Sequence, residues 1–164
     1  MQRTVGDDVH SCYTGTTFSL DEVRMFGWFK TKNDPPLVFP DNQAAFVYAC
    51  SHMDYPLLLG AVIPALVEEE GAAGAEGERY YLLRLATRGG DRTLWGCTLK
   101  EATDFPNVGD LVGFRIVTIA SDLPADMNLI GYIACQFAPV LVKEKGWRIS
   151  RNLTPADIKP ELHM

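Results

Sequence analysis

The sequence predicts an α+β domain, with two N-terminal helices packed on a curved antiparallel sheet or small β-barrel of five to seven strands. Three features point there. Ser19-Leu20-Asp21-Glu22 is a capping box at the head of an apolar run. Phe46, Ala49, Cys50 and Met53 recur at i, i+3, i+4 and i+7, which is one stripe of a helix. From residue 58 onward, short apolar segments are separated by clusters of Gly, Asp and Pro, the punctuation of strands and turns.

Taken in order, residues 1–17 show no period and read as a flexible arm. Ser19 can accept from the Glu22 backbone N–H while the Glu22 side chain reaches back, and Phe18 with Val23 can staple the entry. The expected helix over 20–30 places Val23, Met25, Phe26 and Phe29 on one arc, with Trp28 off it, and Asn33-Asp34-Pro35-Pro36 ends it. Asp41 is the expected N-cap of the second helix, which presents Tyr48, Ser51 and His52 away from the apolar stripe and stops before Tyr55-Pro56. The strands are read as LGAVIPALVEE, ERYYLLRLAT, RTLWGCTL, GDLVGFRIVTIA, LIGYIACQFA, and PVLVKE paired with GWRIS. EEEGAAGAEGE is expected to be a mobile hairpin loop. Gly96, Gly113 and Gly131 lie inside strands and predict strong curvature. Thr154-Pro155 can open a last helical turn. The whole reads as a single domain: arm 1–17, helical segment 18–56, β segment 57–151 and tail 152–164.

Composition bounds the function. With 47% hydrophobic and 22% charged residues in a chain of 164, there is enough apolar material for a real core. The longest apolar run, LIGYIACQFAPVLV, falls short of a membrane-spanning helix and contains a proline, and MQRTVGDDVHSCYTG lacks the apolar centre of a secretory signal. No membrane partner and a cytoplasmic location are therefore expected. Cys50, Cys97 and Cys135 sit in apolar patterns and are expected as reduced thiols. Net charge is −6, and residues 33–78 carry eight acids and no base. That balance argues against a general nucleic-acid binder, although the last third holds eleven bases to nine acids.

Motif chemistry is sparse. His10-x-Cys12 and Cys50-x-His52 offer zinc-type ligands, but two helical residues two apart face different ways, so Cys50 and His52 do not converge on one ion. A thiol with His52 and Asp54 or Asp41 lacks any nucleophile frame, and His163 lies at the end of the sequence. Glu68, Glu69 and Glu70 run into the glycine-rich stretch and read as a solvated turn. No phosphate-binding glycine loop or calcium loop occurs, so neither a cofactor nor a metal is expected. Catalytic residues are accordingly not assigned.

The reading that follows is a non-catalytic binding or interaction module that pairs with itself. Met25, Phe26, Trp28 and Phe29 form an aromatic cluster too dense for one short helix to bury, of the composition that interface cores favour. The alternative is a small-molecule pocket between helices and sheet, lined by Tyr48, Trp95 and Trp147 with His52 or Arg115 as polar groups. Tyr80, Tyr81, Trp95 and Trp147 are expected to be mainly core, and Tyr80 and Tyr81 face opposite sides of their strand. A third reading places anion or local nucleic-acid contact on Lys143, Lys145, Arg148 and Arg151 around the Gly146-Trp147 hairpin.

Overall fold

The computed structural model describes residues 34–87, 90–124 and 128–155. The arm, the first expected helix and its cluster Met25, Phe26, Trp28 and Phe29 lie outside these residues, as does any helical turn beyond Pro155. The elements run β1 (Leu37–Val38), α1 (Asn42–His52), β2 (Val62–Ala73), β3 (Arg79–Thr87), β4 (Gly90–Cys97), β5 (Leu111–Ile119), β6 (Leu129–Val142) and β7 (Gly146–Asn152).

The expected α+β class is corrected: strands take 52% of the described residues and helix 9%, and five strands close into a barrel rather than carrying a pair of helices on a sheet. The physical reason is that both faces of the wall are needed by apolar side chains. β2, β3 and β4 form an antiparallel meander, β5 returns to pair with β2, and β6 pairs antiparallel with β5. β6 then meets β4 in parallel at Cys97 and Tyr132, which closes the ring. Three consecutive strands with a fourth lying back beside the first is the Greek key.

Inside the ring, Ile63, Tyr81, Leu83, Leu85, Phe114 and Ile133 are each no more than 1% exposed, with Leu153 among them from beyond β7. Burial of such side chains is worth about 1.5–3 kcal/mol apiece. A second core lies against the outside of the wall: Phe46 and Ala49 of α1 meet Leu66, Ala86, Leu111, Phe137 and Trp147. Asp41 caps α1 as expected, its Oδ1 accepting from the Ala44 N–H at 2.7 Å. The helix is a plug over one stretch of wall, not a layer.

The strand boundaries depart from expectation in two places. β2 runs to Ala73, so Glu68, Glu69 and Glu70 stand on a strand instead of in a loop. The segments read as LIGYIACQFA and PVLVKE are one fourteen-residue strand, β6, whose register with β7 shifts across Pro139, a residue with no N–H to give the ladder. The hairpin turn follows expectation, with Gly146 at φ 83°.

Candidate binding face

The outer face of β3 and β4 is built by alternation. Tyr81, Leu83 and Leu94 turn inward and are buried, which sends Tyr80, Leu82 and Trp95 outward. Tyr80 is 40% exposed and Trp95 54%. Leu82 stands directly opposite Trp95, and Tyr80 opposite Cys97. Tyr132 of β6 lies next to Cys97 across the closing pair.

Trp95 does not stand up from the wall. A Cβ placed on Gly71 of β2 would lie 2.7 Å from Trp95 Cζ3 and 3.2 Å from the Tyr80 carbonyl oxygen. Because β3 separates β2 from β4, the indole must cross β3 to reach Gly71. The indole therefore reaches across the sheet, its Cζ3–Cη2 edge packed at Gly71 and about half of the side chain left in solvent. Glycine at position 71 makes this possible, since any side chain there would displace the ring. Two residues back on the same strand, Glu69 is exposed opposite Leu82. Several acids of this region pair with cations: Glu68 and Asp91 with Arg84 at 2.8 and 3.5 Å, Glu70 with Arg79 at 3.3 Å, and Glu76 with Lys100 at 3.4 Å. Glu69 has no ion-pair or hydrogen-bond partner among the described residues.

Of the residues expected to line a pocket, Tyr48, His52 and Trp147 come together through Phe39, and Trp95 stands apart from them. Tyr48 and His52 stack on α1 with centroids 4.3 Å apart, and Phe39 links Tyr48 to Trp147 at 5.1 and 5.7 Å. Trp147 is buried and donates its Nε1–H to Tyr55 Oη at 2.7 Å, so it serves the second core. Trp95 is on the outer face of β4, and Arg115 on β5 pairs in register with Val62 and Tyr132. The expectation that these rings are core therefore holds for Tyr81 and Trp147 and fails for Tyr80 and Trp95.

Of the basic hairpin, Lys143, Lys145 and Arg148 are exposed. Arg151 is taken up within the fold: it donates to Asp104 Oδ2 at 2.7 Å, the Phe105 carbonyl at 3.1 Å and Gln136 Oε1 at 2.8 Å, tying the 103–110 connection to β7. Three acids of residues 33–78, Glu70, Glu68 and Glu76, pair with Arg79, Arg84 and Lys100.

Burial pushes the thiols of Cys50, Cys97 and Cys135 up, the last to about 11, so none is poised as a thiolate. Burial likewise raises Tyr55 to about 12, partly offset by the hydrogen bond from Trp147. Both groups fold as the neutral acid. Their contribution is complete below the unfolded values of 9.0 and 10.0, and is lost as pH rises toward about 11 and about 12, because the unfolded chain gives up the proton first. A melting-temperature series should therefore fall across that alkaline window, and Tyr55→Phe should remove its upper part.

No family model matches the chain, and no curated protein or solved structure matches it.

Proposed function

We propose that the protein is a binding module that works without catalysis through the outer face of β3 and β4. The observation that carries the reading is the Trp95 indole, which reaches across the wall to Gly71 and is left 54% exposed. An apolar ring that large, held by a glycine and left half exposed, costs solvation and forms a rigid contact surface at little entropic expense on binding. Five-stranded Greek-key barrels can carry a ligand on their second and third strands, which correspond to β3 and β4 here; that analogy supports the choice of face and supplies no activity, since one barrel carries many functions.

The test is a thermal-shift screen of peptides, sugars, nucleotides and metabolites against wild type and Trp95→Ala side by side. A ligand at 100 times its Kd stabilises by about 2.7 kcal/mol. Ligands that stabilise wild type should lose their effect on Trp95→Ala. Ligands that stabilise both equally would place the binding surface elsewhere.

Self-association belongs to the same proposal. Met25, Phe26, Trp28 and Phe29 supply the aromatic and methionine content of an interface core. Sedimentation velocity at high micromolar concentration should give a dimer, and a monomer there removes that part. Among the described residues Cys50, Cys97 and Cys135 are free thiols, which accords with a reducing compartment and supports a cytoplasmic location. No helix among the described residues is long and apolar enough to cross a membrane.

A further inference from the structure

We infer that the partner of the Trp95 face is an arginine-bearing segment of another protein, an inference that rests on reading this face as the binding surface. The argument is one of charge and shape. The open face of an indole is the negative pole of its quadrupole and attracts a cation lying over it, more strongly than any other aromatic side chain. On β2, two residues from Gly71, Glu69 is exposed and has no partner among the described residues, whereas Glu68 and Glu70 on either side of it pair with Arg84 and Arg79. Ring and carboxylate therefore ask for the same thing. A guanidinium meets both: its plane stacks on the indole, and its edge donates in a fork to a carboxylate.

The alternatives fit less of the face. A polynucleotide would use the ring, but it would bring phosphates toward Glu69 and a chain of net charge −6. A neutral sugar would use the ring and leave the charge unanswered. The closed barrel offers no free strand edge between β3 and β4, so a partner segment engages by its side chains across the wall and not by adding a strand. The overall negative charge also speeds the approach of a basic segment.

The experiment titrates the full chain with a capped Gly-Arg repeat peptide by calorimetry, with a Gly-Lys repeat, an oligothymidine strand and a cellulose-derived oligosaccharide as separate arms. The Gly-Arg repeat should bind, more tightly than Gly-Lys, and should weaken as salt rises. Trp95→Ala and the isosteric Glu69→Gln should each weaken it by about tenfold or more. Both sites are on the surface, and melting curves confirm that each variant is folded. Equal binding by wild type and both variants, or no binding of the Gly-Arg repeat at all, overturns the inference. Trp95-dependent binding of the oligothymidine or the oligosaccharide also overturns it while leaving the Trp95 face as the binding surface; that surface fails only if ligands act independently of Trp95.

Discussion

Gly131→Ala should lower stability by about 3 kcal/mol or more, enough to drop the melting temperature by roughly 10 °C. Gly131 lies on β6 opposite Ile116 of β5. A Cβ there would fall on the carbonyl of Arg115 and come within 2.8 Å of Phe114 Cζ. The first of these is backbone in the neighbouring strand, so relief means parting β5 from β6 where the barrel bends toward its closing pair at Tyr132. A chain whose total stability is about 5–15 kcal/mol cannot absorb that without visible loss. Gly60 is the control. It has φ 79° and open space around its Cβ position, so Gly60→Ala should cost only the left-handed backbone, about 1–2 kcal/mol. Chemical denaturation of both variants checks the pair. A Gly131→Ala protein as stable as wild type would mean that β5 and β6 are not in this close register.

Phe114→Ala should cost about 3–5 kcal/mol, the usual loss for a fully buried phenylalanine. Phe114 is 1% exposed on β5, and its ring fills the space left by two glycines on facing strands, Gly96 and Gly131. Removing it leaves a cavity bounded by backbone on two sides, and a closed ring of strands has little freedom to collapse into it. Phe114→Leu, which keeps more of the buried volume, should cost less than Phe114→Ala. Denaturant midpoints at unchanged slope report the difference.

Those glycines also show what could be read from the chain alone. Gly96, Gly113 and Gly131 inside apolar segments announce curvature, and Asp41 with the Phe46, Ala49, Cys50 and Met53 spacing announces α1. The α+β class does not follow from the stripe, because a helical stripe says that a helix packs on something, not how much of the fold it makes up. An eleven-residue α1 covers one stretch of wall, while a fourteen-residue β6 serves β1, β5 and β7 in turn. Chain order cannot reveal that the segment around Pro139 continues one strand, since proline in a strand reads as a break.

The binding face was harder to see for a similar reason. In Tyr80-Tyr81-Leu82-Leu83, apolar residues point both ways, so alternation separates the two faces without saying which of them is outside. Tyr80 and Trp95 look like core for that reason, and Trp95 reads together with Tyr48, His52 and Trp147, which belong to the helix-covered stretch of the same outer wall. The usable signal was Gly71, a glycine in a polar run that reads as loop until the β2–β3 register is known. Only that register carries it under an indole from β4, and only the ion pairs show that Glu69, unlike Glu68 and Glu70, is left unmatched.

The central claim is that ligands meet this protein on Trp95 and not on the aromatic row around Trp147. Indole N–H resonances of protein labelled with ¹⁵N-tryptophan, assigned by Trp95→Phe and Trp147→Phe, test it in one titration with the Gly-Arg repeat or with any ligand from the thermal screen. The Trp95 signal should move in proportion to occupancy, while that of Trp147, whose N–H donates to Tyr55 Oη inside the second core, should stay in place. Movement of the Trp147 signal with Trp95 unchanged would contradict the account.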